Sequence, residues 1–382
     1  MSTLTPPASP ELSPTPEGTE AGDWKLRLVR AFGTPAALSR VLSVVVALLV
    51  AIPVVAAAGA DPVTAYDAIF QGAFGSLRAI GDVLNRVDTF LLLGLGIAIG
   101  IRAGFFNVGA EGQLWMGALG ATVVALYVDA PGGLLIVLSL LAGMLAGALW
   151  SGLVAFLKTI FGVDELIGSL MLNYVAILLV GYLTFGPLKA YRAGQTDRTP
   201  AATDLPVLIP GTRLHVGFVL AVLAMGLLWW VLNRTTFGYE LRTIGGNPRA
   251  ARFAGIRDTR VIAKVALLGG ALCGLAGANA VLGVQHVLLS NFSPGWGYTA
   301  IAVALLGGMR PLGILAAAVL FGALEIGATN MQYAVQVPAT LGGLIEGLVL
   351  VLFLASISIT PLVLRWRSRT SARRLARQEG GV

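Results

Sequence analysis

A succession of long apolar runs constrains this chain more than any other feature of its sequence. A helix needs about 20 apolar residues to cross the hydrocarbon core of a bilayer, fewer where the span is broken or covered by protein. Ten stretches qualify: 41–58, 89–104, 112–128, 133–157, 166–186, 216–233, 264–284, 297–309, 311–329 and 340–361. Hydrocarbon offers no partners to backbone N–H and C=O groups, so runs of this length fold as helices. The predicted fold is all-α, a polytopic membrane protein of about ten transmembrane helices. Composition excludes the soluble alternative: 56% of residues are hydrophobic and 12% charged, whereas a soluble domain carries about 25% charge. Cys273 is the single cysteine and His215 and His286 are the only histidines, which argues against a disulfide framework and a zinc site.

Three regions follow. Residues 1–35 contain the proline-rich stretch from Pro6 to Pro16 and read as a disordered cytoplasmic tail. Residues 36–361 form the transmembrane domain and 362–382 a basic cytoplasmic tail. No apolar run precedes about Val41, so no secretory signal is expected. With ten spans and a cytoplasmic N-terminus, 20 of the 26 Lys and Arg residues fall on the cytoplasmic side. Basic residues resist translocation, so this asymmetry predicts both termini inside; the expected location is the cell (inner) membrane. The net charge of +7 reflects those loops and the arginine-rich tail, which suits anionic lipid headgroups and gives no reason to expect nucleic acid.

A faint repeat accompanies the spans. The run from Pro131 resembles that from Pro311, and the run from Val163 resembles that from Val337. The two copies would have opposite topology, an arrangement that encloses a substrate site near the bilayer midplane with broken helices. Two glycine-broken segments stand where such helices would lie. One holds Phe106, Asn107, Glu111 and Gln113; the other holds Asn291, Ser293, Trp296 and Tyr298. They are candidate pathway residues, together with Asn173, which interrupts another span; the alternative is two ordinary tight turns at the membrane surface. Glu325 and Glu346 also lie in apolar spans, where a carboxylate is expensive unless paired or hydrated and so is a functional candidate; a helix–helix hydrogen bond or an interface between subunits is the expected role for both.

The loop after the sixth span carries its own start and stop signals. Asn247 is a good N-cap, Pro248 suits the first helical position, and Gly255 suits a left-handed stop. Arg249, Arg252 and Phe253 lie on the short helix between them. A helix this short needs something to dock against: the membrane surface, or a cytoplasmic partner.

Together, Phe106 to Gln113, Met171-Leu172-Asn173-Tyr174, Gly246 to Ala251 and the stretch from Gly297-Tyr298 to Arg310-Pro311 resemble the membrane permeases of ABC importers. The likeness is to the branched-chain amino acid and simple-sugar class, in its nucleoside-type subgroup, and runs from about residue 40 to 360. The proline-rich N-terminus and arginine-rich C-terminus depart from it. The resemblance implies a permease for nucleosides or simple sugars that pairs with a second permease, as a homo- or heterodimer. Two cytoplasmic ATPase subunits and an extracellular substrate-binding lipoprotein would complete the importer. Asn247, Pro248, Arg249, Arg252, Phe253 and Gly255 would then form the ATPase coupling helix. The chain itself would bind no cofactor; ATP would be used by the partner ATPase, consistent with the lack of any Gly-Lys dipeptide for a phosphate loop. A secondary transporter driven by an ion gradient is the competing reading; no metal site or catalytic set is expected.

Overall fold

The computed structural model describes residues 35–57, 59–336, 341–352 and 355. The proline-rich and arginine-rich tails lie outside these residues. The chain divides into a compact unit, Ala47–Val351, and a second unit made of residues 1–46 and 352–382. The architecture is all-α. Its helices are α1 Pro35–Ala57, α2 Pro62–Phe74, α3 Leu77–Arg102, α4 Ala110–Tyr127, α5 Gly132–Phe161, α6 Glu165–Phe185, α7 Gly217–Arg234, α8 Thr236–Gly246, α9 Pro248–Phe253, α10 Asp258–Ala280, α11 Trp296–Leu306 and α12 Pro311–Val335, followed by α13, Leu341–Leu352.

Among the described residues, six helices are long and apolar enough to cross a membrane: α3, α5, α6, α7, α12 and α10 with the π turn that extends it to Gln285. The bent pair α1–α2 makes a seventh if counted as one span, and α11 and α13 are shorter apolar helices. Nine of the ten predicted spans fall on helices; of the tenth, 340–361, α13 covers Leu341–Leu352 and most of the remainder lies outside the described residues. Two helices, α2 and α8, went unread because their apolar runs are too short. Helix α3 also starts twelve residues before the predicted span, at Leu77 rather than 89. Its first half carries Asn85 and Asp88, which lower the local hydropathy yet are buried.

Helix α3 sits at the centre of the Ala47–Val351 unit. Every residue from Val87 to Gly100 is buried, under α7, α10, α11 and α12. A helix apolar all round belongs in such a place. Its polar exceptions have partners: Asn85 Nδ2 donates to the Arg213 carbonyl at 2.7 Å, and Asn279 Nδ2 donates to both Asp88 oxygens at 3.1 Å. Helices α4, α5 and α10 form a second tight group, joined at glycines; Gly143 and Gly147 of α5 face Gly274 of α10.

The order of elements repeats within the unit. A long helix, an irregular break, a short helix and two further helices occur as α3–α4–α5–α6 and again as α10–α11–α12–α13. Pro131 sits at the N-cap of α5 and Pro311 at the start of α12, so the prolines that mark the sequence repeat begin corresponding helices.

Candidate functional site

The breaks that precede α4 and α11 bring the beginnings of these two short helices together. Free backbone groups at such a break need partners inside the protein. In the first break they come from α6. Val108 N–H donates to Ser169 Oγ at 3.1 Å, the Val108 carbonyl accepts from Asn173 Nδ2 at 3.0 Å, and Asn173 Oδ1 accepts from Gly112 N–H at 2.8 Å. Asn107 turns back on the chain, its Oδ1 accepting from Gly109 N–H at 2.7 Å while its Nδ2 donates to Ser151 Oγ at 3.2 Å. In the second break, Ser293 Oγ accepts from Gly295 and Trp296 N–H at 3.1 and 3.0 Å and so starts α11.

Glu111 joins the two. It is 1% exposed, in the first turn of α4. One carboxylate oxygen accepts from Trp115 Nε1–H at 2.8 Å and the other from Gly297 N–H, in the first turn of α11, at 2.6 Å. A carboxylate is favoured at a helix N-terminus by the free N–H groups and the dipole, and here it serves two at once. Gly297 fits because it has no side chain: a Cβ would lie inside the Ala110–Glu111 backbone. Asn173 adds a second tie by donating to Tyr298 Oη at 3.3 Å.

Trp296 is held from the other side. Its Nε1–H donates to Glu325 Oε1 at 2.9 Å, the Arg86 guanidinium lies 3.9 Å from its ring centroid, and Arg86 forms an ion pair with Glu325 at 3.0 Å. Phe292 packs edge-on against both Trp115 and Trp296. Of the residues singled out in sequence, Asn107, Glu111, Asn173, Ser293, Trp296 and Tyr298 therefore belong to one junction. Gln113 is buried beside it, its Nε2 without a hydrogen-bond partner among the described residues. Phe106 and Asn291 are exposed at the edges. Sequence reasoning missed Arg86, Trp115, Ser151 and Ser169, whose roles appear only once distant helices meet.

The loop helix forms as its sequence predicts. Asn247 Oδ1 accepts from Arg249 and Ala250 N–H at 3.0 and 3.1 Å, Pro248 begins α9, and Gly255 is left-handed at φ 78°. Ala251 is fully buried where α9 packs on α8 and α10. Phe253, by contrast, is 94% exposed.

On the opposite loop, between α6 and α7, His215 is buried with its ring against Gly217 and Gly283. Its Nδ1 accepts from Gly217 N–H at 3.1 Å. Burial first, and His286 nearby second, push its pKa down from 6.5 to about 4. The folded protein thus keeps His215 neutral where the unfolded chain is already protonated, so stability is full above pH 6.5 and declines as pH falls towards 4. The expected result is a melting temperature that drops across that window, with a flatter profile in His215→Gln.

A family model described as "Branched-chain amino acid transport system / permease component" matches residues 79–354, from α3 through α13. The chain belongs to this family. It is a multi-pass membrane protein and the permease subunit of an ATP-driven ABC importer, a transport subunit whose ATP hydrolysis lies in separate subunits. Membership implies an ATPase and a substrate-binding protein as partners. A glucose ABC transporter permease protein of Haloferax volcanii is 37% identical over 338 residues, 85% of this chain and 88% of that protein. A guanosine ABC transporter permease protein of Bacillus subtilis is 32% identical over 320 residues, 82% and 92% of the two chains. A nucleoside ABC transporter permease protein of Lactococcus lactis is 30% identical over 302 residues, 76% and 83%. No solved structure is a significant match.

Proposed function

We propose that this permease carries nucleosides inward across the cell membrane, with both termini cytoplasmic. In this reading two permeases, identical or not, stand on two ATPase subunits and receive substrate from an extracellular binding lipoprotein. The observation that carries the substrate class is the likeness, over most of the chain, to permeases named for guanosine and nucleosides. A simple sugar is the second reading, favoured by the relative named for glucose. Both ligand types present a ring that bears hydroxyl groups.

The helix α9 is the proposed ATPase coupling element. Its Asn247 cap and Pro248 start fix it, Ala251 docks it on α8 and α10, and Arg249, Arg252 and Phe253 face outward. Closure of the ATPase pair would push on α9 and, through α10, on the α4–α11 junction, where Glu111, Asn173, Trp296 and Tyr298 would border the pathway. Phe106, Asn107, Gln113, Asn291 and Ser293 complete the proposed route.

The test is ATP-dependent uptake by the complete importer in vesicles, with labelled uridine and guanosine beside labelled glucose and ribose. Uptake of the nucleosides is expected; uptake of the sugars alone would favour the second reading. Asn247→Ala with Pro248→Gly should lower uptake while the binding protein still delivers substrate, since loss of an N-cap typically costs about 1 kcal/mol of helix stability. Normal uptake in that variant would reject α9 as the coupling element.

Orientation has its own check. The only cysteine, Cys273, is buried and gives little background. A cysteine at fully exposed Tyr191 is expected to react with an impermeant thiol reagent from outside, and one at exposed Phe253 only after the membrane is opened. Thr196, on the same loop as Tyr191, is buried and would report nothing. Equal labelling at Tyr191 and Phe253 would reject the inside placement of both termini.

A further inference from the structure

A cleft of about 260 Å³ opens between the start of α11, the C-terminal half of α12 and α13. Trp296, Thr299, Glu325, Thr329, Gln332 and Glu346 line it. We propose that this cleft binds the hydroxylated ring of the transported molecule, with Glu346 as its free acceptor. The proposal rests on the nucleoside-or-sugar reading and goes further by naming the part of the substrate that is held and the side chains that hold it.

Position is the first argument. Trp296 adjoins Gly297, whose N–H is bound by Glu111, so the cleft opens where the two short helices begin. Repeats of broken helices place transported substrates at that level.

The two carboxylates differ in a way that suits a ligand. Glu325 is already engaged, by Trp296 Nε1–H at 2.9 Å and by Arg86 at 3.0 Å. Glu346 makes no hydrogen bond or ion pair among the described residues, although it lines the same wall. A carboxylate at membrane depth is expensive unless paired or hydrated, and the Glu346 oxygens, unlike those of Glu325, are not taken up by another side chain among the described residues. Neighbouring hydroxyls on a sugar ring supply two donors to the two oxygens of a carboxylate. Gln332 and Thr299 add donors and acceptors for the remaining hydroxyls.

The aromatic wall tells against a base in the cleft. One face of Trp296 is covered by Arg86 at 3.9 Å, and Phe292 packs edge-on at 5.7 Å. Trp296 is only 6% exposed, so no free face remains for stacking. Sites for small molecules usually run from about 300 Å³ upward, and a volume just below that suits a single ring.

Protection from labelling tests the proposal without depending on transport rates. Thr329 is exposed in the cleft wall, and the native Cys273 is buried. In the complete permease–ATPase complex carrying Thr329→Cys, near-saturating uridine or glucose is expected to slow N-ethylmaleimide labelling on the order of tenfold. The analogue 2′,3′-dideoxyuridine, which lacks the ring hydroxyls, should leave the rate unchanged. Adding Glu346→Gln should weaken protection on the order of tenfold, as loss of a hydrogen-bond acceptor does. Gln332→Leu gives a second, uncharged test of the same wall if Glu346→Gln fails to fold. No protection, equal protection by the dideoxy analogue, or protection by sodium ion alone would overturn the proposal in a complex that takes up uridine or glucose. A complex that takes up neither would overturn the functional reading, and this site with it.

Discussion

Glu111→Ala is expected to destabilise the folded permease by roughly 2–6 kcal/mol, because it strips two buried donors of their only acceptor among the described residues, at about 1–3 kcal/mol each. The donors are Trp115 Nε1–H and Gly297 N–H, at 2.8 and 2.6 Å. Neither has room to find water: Glu111 is 1% exposed, Trp115 2%, and Gly297 is packed on the Ala110–Glu111 backbone. Loss of the Gly297 bond also frees the start of α11 from the start of α4, with the Asn173–Tyr298 hydrogen bond from α6 still in place. Glu111→Gln separates the two roles. Its single amide oxygen can accept from one donor, but its NH₂ then faces the other, so an intermediate loss is expected. The measurement is the melting temperature of the purified complex, read beside uptake. A fall of several degrees in Glu111→Ala, with Gln between it and the native protein, fits a residue that holds the junction. Changed substrate affinity with an unchanged melting temperature would mean instead that Glu111 meets the substrate and holds nothing.

What could be read in advance divides along the distance between interacting groups. The α9 helix was legible because Asn247, Pro248 and Gly255 act within a few residues of themselves, through a cap, a fixed φ and a left-handed stop. The spans were legible because burial in hydrocarbon demands apolar side chains locally. Glu111 stood out as an acid beside a glycine break, but its partner Gly297 lies 186 residues away, and nothing local says that it ties two helices together. The early start of α3 was hidden for the same reason. Asn85 and Asp88 look like loop residues until Arg213, 128 residues on, and Asn279, 191 residues on, satisfy them. Trp296 stood out as part of a glycine-broken segment, whereas the fold has already covered its ring with Arg86 from α3. Glu346 was read as a helix contact, and the fold leaves it facing a cleft. Pattern names the residues that are unusual in a membrane; only tertiary contacts decide which of them are already satisfied.

Gly274→Leu is expected to prevent the α4–α5–α10 group from closing, so that folded protein is no longer recovered from membranes. Small residues at helix crossings let backbones touch in lipid, where packing replaces the hydrophobic drive between helices. Gly274 is where three such backbones meet. A Cβ there would fall on the Gly143 carbonyl oxygen and 3.1 Å from Gly147 Cα, both on α5, while a Cβ on Gly117 of α4 would run into Gly274 itself. The neighbours are main chain, so none can swing aside; the helices must separate, and the contacts along all three crossings loosen together. Overpacking in a tight core typically costs about 1–3 kcal/mol, more where backbone has to move. Gly274→Ala, with one added methyl, should therefore lower the melting temperature, and leucine should exceed what the fold can absorb. Gly226 in α7 supplies the control, because nothing lies within 4 Å of a Cβ placed there. Gly226→Ala is expected to be neutral or to raise stability by up to about 1 kcal/mol, the difference in helix propensity. Equal effects of alanine at the two positions would show that glycine is used for its flexibility throughout and not for close approach at Gly274.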